Sequence, residues 1–422
     1  MGLELNQKHP LNELINILLR RITTSTGRIH PGRMTYIIGN NGTGKSRVLG
    51  ELAQRLRPQQ RARRTVACIS NSLHDRFTFG DHGRVVYLGA RNASNAIFQA
   101  ASDRQLGRLI LQAMQHDRKR FTDLCDATNL DLSFEVSKKS LEELHLPSPS
   151  TRDRDRLVRR AKSRDLLTSG ALAMLRRIAA GSGRFESLTK AQVPVLLKYL
   201  DLSVGFEVRV HLRDGRITHF GGLSTGEQNR LLVFAKVLSV MEDRTVFLID
   251  EPEVSLHLHW QMKFHETLVK LLERQKRFHA VIATHAPIII SEAAKCDHEK
   301  EHNMVAVLRH KVKPGQKESE LGPGIGEMTV DMHTFNEVQS HDHLVLRYFH
   351  TSPYEAREMS VEIADTVLGV AERSQTPSSA VASLEKLLDV VGIEEEAKVQ
   401  IRTAIKLIKK GIPELIDGVT KS

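Results

Sequence analysis

Residues 34–49 read MTYIIGNNGTGKSRVL, and this stretch decides the fold. The short apolar run Met34–Ile38 predicts a buried strand, and a helix is predicted from Ser46 to Leu56. The loop Gly39–Ser46 fits the pattern G-x-x-x-x-G-K-[ST] in the strand–loop–helix context that makes this pattern credible. Its glycines allow backbone N–H groups to surround phosphates, and the helix N-terminus adds partial positive charge. The stretch therefore predicts a nucleotide phosphate site.

Every residue of this loop is a candidate contact for a bound nucleotide. Lys45 is expected to reach the β- and γ-phosphates, and the Ser46 hydroxyl is expected to hold Mg²⁺. The candidate phosphate-binding residues are Gly39, Asn40, Asn41, Gly42, Thr43, Gly44, Lys45 and Ser46. ATP and Mg²⁺ are accordingly the predicted cofactors.

Two adjacent carboxylates follow a second buried-type strand. Residues 245–253 read TVFLIDEPE, in which an apolar run leads into Asp250 and Glu251. Parallel α/β sheets bind ligands at the carboxyl ends of their strands. We therefore predict that Asp250 helps to bind Mg²⁺ and that Glu251 orients or deprotonates the attacking water. His285, which ends the next strand in ATHAP, is a candidate hydrogen-bond partner of the γ-phosphate.

The segment GGLSTGEQNR, residues 221–230, has no ligand nearby in the sequence. Ser224 and Gly226 predict a helix start, and an apolar helix is predicted over Glu227–Met241. The segment alone leaves open what this helix start faces; its residues are Ser224, Thr225, Gly226, Glu227 and Gln228.

The four motifs together resemble ABC-type ATPases of the SMC and OLD-like, non-transporter branch. GNNGTGKS is similar to their Walker A, LSTGEQ to the ABC signature, LIDEPEVSLH to Walker B with its D-loop, and ATHAP to the H-loop. The resemblance implies homodimers or higher homo-oligomers in which two heads enclose ATP. The signature of one head, Ser224 to Gln228, would then contact the γ-phosphate held by the other head. It also implies Glu251 as the catalytic base and His285 as a γ-phosphate sensor.

The motifs depart from the transporter pattern at several positions. Thr225 and Glu227 replace the usual Gly and Gln of the signature, and the D-loop reads Val-Ser-Leu-His at 254–257. The best candidate for a Q-loop is Tyr87–Asn95. These departures favour a non-transporter ATPase, and a transporter's nucleotide-binding subunit is the less favoured interpretation.

Alternating strands and helices predict an α/β fold with a mainly parallel sheet. Further strands are predicted at Thr65–Ser70, Arg84–Leu88, Phe206–Leu212, Arg216–Phe220, Ala280–Ala283 and Met304–Leu308. A helical pattern from about Ala93 to Leu200 is broken by a Pro/Ser linker at Leu146–Thr151. We predict an ATPase head whose N-terminal lobe (1–96) carries Walker A. This lobe is followed by a helical insertion (97–200), by a C-terminal lobe with signature, Walker B and H-loop (201–350), and by a helical C-terminal tail (351–422).

The charge balance favours a polyanionic partner. Lys and Arg number 61 and Asp and Glu 50, so the 422-residue chain carries a formal charge of +11. The run RDRDRLVRRAKSR at 152–164 concentrates this charge. Its candidate nucleic-acid contacts are Arg152, Arg156, Arg159 and Arg160. A solvated helix face with internal Asp–Arg pairs explains the run equally well.

Cysteine usage and hydropathy indicate a cytoplasmic protein. Cys68, Cys125 and Cys296 are few and widely separated, which argues against a disulfide framework. The N-terminal residues lack a signal-peptide pattern, and no apolar run reaches membrane-spanning length.

Looser motifs narrow the functional expectation. ACISNSLHDRF at 67–77, YLGAR at 87–91 and HTFNE at 333–337 look similar to the ATPases of Septu anti-phage defence systems, including the retron-associated form. This resemblance implies an ATP-hydrolysing switch that controls a separate HNH nuclease, because no credible nuclease module is present. The tail Glu355–Ser422 is the expected docking segment. Alternatives are a PARIS-type ATPase, a DNA repair or recombination ATPase that grips DNA, and a scaffold in which ATP is structural.

Overall fold

The computed structural model describes residues 10–23, 32–57, 64–81, 83–91, 102–137, 168–201, 205–212, 215–297, 302–310, 328–338, 344, 356–388 and 395–410. The linker Leu146–Thr151 and the predicted nucleic-acid contacts Arg152, Arg156, Arg159 and Arg160 lie outside the described residues.

Ten strands and twelve α-helices are found in the described part of the chain. The strands are β1 (Arg33–Gly39), β2 (Val66–Ser70), β3 (Val85–Leu88), β4 (Asp131–Val136), β5 (Phe206–His211), β6 (Ile217–His219), β7 (Thr245–Asp250), β8 (Phe278–Thr284), β9 (Met304–His310) and β10 (Met328–Thr334). The helices are α1 (Pro10–Ile22), α2 (Lys45–Leu56), α3 (Ser102–His116), α4 (Lys119–Thr128), α5 (Ser169–Ala180), α6 (Gln192–Asp201), α7 (Thr225–Val240), α8 (Leu258–Leu272), α9 (Pro287–Asp297), α10 (Ala356–Ala371), α11 (Pro377–Leu388) and α12 (Glu395–Lys410).

The chain divides into two compact units. One consists of Met1–Leu14, Tyr36–Lys45 and His285–Ser422, and the other of Ile15–Thr35 and Ser46–Thr284. Strand β1 contributes its first residues to the second unit and its last residues to the first. The predicted segment boundaries at 96, 200 and 350 remain predictions.

The second unit is built on the strand order β1-β8-β7-β2-β3. Strands β2, β3, β7 and β8 pair in parallel, with Ser70 opposite Asp250 and Asp250 opposite Ala283. All residues of β2 and β7 are buried, as expected for parallel strands covered on both faces. The carboxyl ends of three neighbouring strands therefore meet at one edge. The prediction of an α/β fold with a mainly parallel sheet is confirmed.

A second, antiparallel sheet, β4-β5-β6, lies in the same unit. The hairpin of β5 and β6 matches the prediction, but the sequence predicted only helices between residues 97 and 200. That expectation was wrong at Asp131–Val136, which pairs with β5 along its whole length. The strand is anchored by Phe134, whose ring lies 4.8 Å from Phe185 and 5.7 Å from Phe206.

The first unit contains the order β10-β9-β1, in which β9 and β10 pair antiparallel. Strand β10 was not predicted from the sequence. The C-terminal helices α10, α11 and α12 pack around an apolar cluster of their own, which agrees with the predicted helical tail. The cluster consists of Ile363, Ala380, Leu384, Leu387, Ile401, Ala404, Ile405 and Ile408.

Neither disulfides nor membrane spans occur in the described residues. Cys68, Cys125 and Cys296 are all free thiols. None of the described helices has the length and apolar character needed to cross a bilayer.

Candidate functional site

The loop Gly39–Ser46 has the backbone shape that its glycines allow. Gly42 and Gly44 take φ values of +84° and +90°, a region that side chains with a Cβ rarely adopt. At Gly39, an added Cβ would lie 2.5 Å from the Leu308 carbonyl oxygen and 2.8 Å from Thr43 Oγ1. The three glycines of the loop, Gly39, Gly42 and Gly44, are therefore required by its backbone geometry and its close contacts.

Lys45 begins α2 and is buried within the loop. Its Nζ donates to the carbonyl oxygens of Gly39 at 2.8 Å and Asn40 at 3.2 Å. The Thr43 hydroxyl also donates to the Asn40 oxygen, at 2.8 Å. The ammonium group is thus held at the mouth of the helix N-terminus, where backbone N–H groups favour an anion.

Ser46 and Asp250, which are 204 residues apart in sequence, meet in the second unit. Ser46 Oγ donates to Asp250 Oδ1 at 3.1 Å. Asp250 is only 2% exposed, and burial is the main reason that its pKa rises to about 7. The bond from Ser46 opposes this shift, while the neighbouring Glu251 charge adds to it. A cation bound to these oxygens would stabilise the carboxylate form.

Glu251 follows β7 in a strained backbone conformation. Its φ is +48°, a left-handed value that costs a non-glycine residue about 1–2 kcal/mol. Its N–H donates to the Ala283 carbonyl oxygen at 2.9 Å, which ties the turn to β8. Strain of this kind is concentrated at functional sites.

The signature segment starts α7 with a capping box. Ser224 Oγ accepts from the Glu227 N–H at 3.3 Å, and Glu227 Oε2 accepts from the Ser224 N–H at 2.9 Å. Gln228 Nε2 donates to the Leu223 oxygen at 2.8 Å, so it stabilises the same turn. Ser224 and Thr225 are exposed. Glu227 therefore has a structural explanation within its own chain, although it departs from the transporter signature.

A family model matches residues 34–291, which include all four motifs and well over half of the chain. The model is AAA_21, described as "AAA domain, putative AbiEii toxin, Type IV TA system". The chain belongs to the AAA_21 family. It is accordingly a P-loop ATPase domain protein with an α/β head.

One curated relative is similar to this AAA_21 protein over a short segment. Over 73 residues it is 34% identical to protein ea59 of Escherichia phage lambda. The matched segment is 17% of this chain and 14% of ea59, so the chain spans a small part of that relative's length.

Three solved structures are similar to this AAA_21 protein at low identity. A "putative metal-chelate type ABC transporter" in an inward-facing conformation is 13% identical, with 77% of this chain and 80% of that chain covered and a TM-score of 0.31. The cbiO1 subunit of a Clostridium perfringens ABC transporter complex is 14% identical, with 77% and 91% covered and a TM-score of 0.28. An Smc head bound to a domain of ScpA is 10% identical, with 32% and 35% covered and a TM-score of 0.23. At these values the three structures add nothing to the family assignment.

The residues of the AAA_21 head fit a nucleotide with its Mg²⁺. Within the second unit, Ser46 Oγ and Asp250 Oδ1 lie 3.1 Å apart and are two oxygens of the kind that Mg²⁺ takes as ligands. Mg²⁺ is usually held by one or two protein oxygens together with substrate phosphates. In the described ranges no cluster of three or more His, Cys, Asp or Glu forms a separate metal site.

The remaining predicted positions have less distinctive surroundings. His285 is exposed and directly follows β8. In the predicted Q-loop region, Arg91 donates to the buried Asp75 carboxylate at 2.7 Å, and its guanidinium lies 5.3 Å from the centre of the Tyr87 ring. Tyr87 and Arg91 therefore contact the segment that follows β2, through Asp75.

Gly226 lies against the D-loop of its own chain. A Cβ at this position would lie 2.5 Å from the Ser255 carbonyl oxygen, closer than any real contact. Ser255 itself has a φ of +61°, so its backbone is already constrained. Gly226 thus allows the signature turn and the D-loop of one chain to pack closely together.

Gly226→Ala is therefore expected to destabilise the protein by about 1–3 kcal/mol, because overpacking against fixed backbone forces the two turns apart. The higher helix propensity of alanine, worth about 1 kcal/mol, offsets part of this loss. Urea unfolding measures the change. Gly221→Ala is the matched control, since no atom lies within 4 Å of the Cβ it would add. Equal midpoints for the two variants would contradict the proposed contact.

Two buried arginines connect α7 to the insertion and were not predicted. Arg120 of α4 donates to the carbonyl oxygens of Leu238, at 2.9 Å, and Met241 at the C-terminal end of α7. Arg230 of α7 donates back to Ala127, and its guanidinium lies 3.1 Å from the centre of the Trp260 ring. Basic side chains at a helix C-terminus satisfy its last carbonyls and complement its dipole.

Proposed function

We propose that this chain is an ATP-hydrolysing switch in which two copies of the head enclose ATP. The observation that carries the proposal is the hydrogen bond, 3.1 Å long, from Ser46, the last residue of the Walker A motif, to Asp250 of Walker B. The exposed Ser224 and Thr225 at the start of α7 support the second half of the proposal. A capped helix start with an exposed hydroxyl suits a phosphate carried by another copy.

Each group of residues has a distinct part in this mechanism. Gly39–Lys45 and the N-terminus of α2 would hold the phosphates, and the Ser46 and Asp250 oxygens would hold Mg²⁺. When bound, Mg²⁺–ATP supplies the phosphoryl group and its charge neutralisation. Glu251 would orient water and accept its proton, and His285 would contact the γ-phosphate. Ser224–Gln228 of the second copy would complete the site.

The contacts of Arg120 and Arg230 suggest where a signal from the site would go. Both link α7, which begins with the signature, to α4 of the insertion. Helix α7 is buried along most of its length and also packs on α3. A displacement of its N-terminus by a second copy would therefore move the insertion as well.

We further propose that the switch acts in anti-phage defence and controls a separate nuclease, of the HNH class. The Septu-like segments support this role, and the family description refers to a toxin of type IV toxin–antitoxin systems. The C-terminal helices α10–α12 pack around their own core and are the proposed docking site for the partner.

A phage challenge tests the switch and its partner together. The chain and its neighbouring operon genes would be expressed in a bacterial host and plaques counted across a panel of phages. Protection should require both Lys45 and a neighbouring nuclease gene, and a Lys45→Ala chain should restore plaques by orders of magnitude. Protection by the chain alone would refute the partner, and ATP-independent protection would refute the switch.

A second candidate function, direct binding of DNA, is favoured by the charge of α12. From residue 398 to 410 this helix contains five basic residues and no acidic one. Its basic residues are Lys398, Arg402, Lys406, Lys409 and Lys410. Their spacing places them on one side, while Ile401, Ile405 and Ile408 belong to the apolar cluster. Such a stripe suits the phosphate backbone of nucleic acid.

If α12 binds DNA, replacing Arg402 and Lys406 with alanine should reduce the slope of log affinity against log salt by about 2, since each phosphate contact contributes about 0.9. Fluorescence anisotropy with a duplex, across a salt series, measures the slope. The matched control replaces the exposed Lys263 and Lys270 of α8, which removes the same charge elsewhere. Identical slopes in both double variants would show that α12 is only a solvated basic face.

A further inference from the structure

Helix α7 carries a lysine that the ATPase motifs do not explain. Lys236 interrupts the apolar run LLVFAKVLSV and is only 1% exposed. Its Nζ donates to the Ser70 carbonyl oxygen at 2.8 Å and to Asn71 Oδ1 at 2.7 Å. A lysine is rarely buried so completely unless its amino group is paired. Both of its acceptors lie at the carboxyl end of β2.

Asn71 is held a second time by the same helix. Its Nδ2 donates to the Asn229 carbonyl oxygen at 2.9 Å. Asn229 and Lys236 are seven residues apart, which is close to two helical turns, so they lie on one face of α7. The Asn229 side chain in turn donates to the Val254 oxygen of the D-loop, at 3.1 Å. We call Asn71, Asn229 and Lys236 the latch.

The latch ends beside the candidate catalytic carboxylates. Ser70 is the register partner of Asp250 on the neighbouring strand. Gly226, one turn before Asn229, is in contact with Ser255 of the D-loop. The start of α7 therefore contacts both the carboxyl end of β2 and the D-loop that follows β7.

The surroundings of Lys236 affect the charge of its amino group in two opposite ways. Burial lowers its pKa to about 7, and the Asp75 carboxylate opposes that shift. Asp75 is itself held by Arg91 and by the Tyr87 hydroxyl, at 2.7 and 2.9 Å. Lys236 thus bonds the uncharged Ser70 and Asn71 oxygens while the nearby carboxylate is neutralised by another residue.

We propose that the latch makes the signature turn and the Asp250–Glu251 turn of one copy move as a single body. Asn71, Asn229 and Lys236 are then positioning residues for ATP hydrolysis and do not touch the nucleotide. This inference rests on the proposed ATPase function. In a two-copy arrangement, the signature serves the partner's site while Glu251 serves its own site. A rigid link between the signature turn and the Asp250–Glu251 turn would couple the two nucleotide sites. The geometry of one site would then depend on whether nucleotide is bound at the other, because the latch residues form a contiguous hydrogen-bonded network.

The test uses two separate variants of the full chain. Asn71→Ala removes both hydrogen bonds of the Asn71 side chain. Lys236→Met keeps the length of the lysine side chain but removes its hydrogen-bond donor. Lys270→Met on the exposed face of α8 is the control for the second substitution. Steady-state hydrolysis of ATP should show at least a tenfold loss of kcat in both latch variants, with KM within about twofold of wild type, because the phosphate loop is untouched. Asn71→Asp retains an oxygen acceptor for Lys236 and should recover part of kcat.

Hydrogen exchange provides a readout that does not depend on turnover. In Asn71→Ala, exchange should rise together in the segments 224–230 and 254–256, with little change in α8 and β5. If wild type shows no turnover, the proposed function fails and the exchange result alone decides whether the two turns are coupled. Wild-type kcat in both latch variants, or faster exchange in only one of the two segments, would overturn the latch.

Discussion

Glu251→Gln should bind ATP with unchanged affinity, hydrolyse it about 10²–10³-fold more slowly and accumulate as an ATP-bound dimer. The loss is of the size expected when a positioned general base is removed, because an amide cannot accept the proton of the attacking water. The side chain keeps its shape, and the backbone at φ +48° is held by the bond from its N–H to Ala283. Phosphate release and light scattering, each with and without ATP, measure the two effects.

The matched control is Glu266→Gln, the same chemical change at an exposed position of α8. It should hydrolyse ATP at the wild-type rate and form no long-lived dimer. Turnover within about threefold of wild type in Glu251→Gln, a difference below 1 kcal/mol in the barrier, would exclude Glu251 as the base.

Ser224→Arg should abolish ATP-dependent dimerisation while leaving ATP binding by the altered chain intact. Ser224 is exposed at the start of α7, so a long cation there projects toward any surface that the turn contacts. The phosphate loop of the same chain is a different segment and keeps its own contacts through Lys45. The measurement is best made in the Glu251→Gln background, in which the wild-type signature is expected to give a stable dimer.

Loss of the capping box is a separate effect of this substitution and costs about 1 kcal/mol. Ser224→Ala removes the same cap without adding bulk or charge, so it separates the two causes. We expect weakened but measurable dimers for Ser224→Ala and none for Ser224→Arg. A stable ATP-bound dimer of Ser224→Arg would show that the signature does not lie between the copies.

Strands β1 and β7 were predictable because each is a continuous apolar run with a clear end. Met34–Ile38 stops at the loop glycines, and Val246–Ile249 stops at two carboxylates, so the observed strands extend the predicted ones by only one or two residues. The order of motifs along the chain also indicated which loops belong to a nucleotide site. The contact of Ser46 with Asp250 is consistent with that expectation.

Strands that depend on distant partners were missed. Asp131–Val136 is short and lies in a long helical pattern, and only its pairing with β5 and the stack of Phe134 on Phe206 fix it as a strand. Six of the seven residues of β10 are half-buried, and the strand is defined by its pairing with β9. Local sequence carries little information on either pairing, because tertiary context decides strand formation.

The site's supporting contacts were only partly visible in the sequence. The S-x-x-E spacing of Ser224 and Glu227 is a capping-box pattern and could have explained Glu227. Lys236 in an apolar helix was a signal of a buried, paired lysine. Its acceptors, however, lie more than 160 residues earlier, and no local pattern points to them.

The left-handed backbone at Glu251 has an evolutionary consequence. Glycine or asparagine would hold this conformation at lower cost than glutamate. A lineage selected for stability alone is therefore expected to drift toward those residues at this position. Descendants that retain the acid would be those still selected for its chemistry, while homologues with Gly or Asn here would mark chains that have become non-hydrolysing scaffolds. If Glu251 is the catalytic base, the residue at this position would therefore distinguish hydrolysing homologues from non-hydrolysing ones.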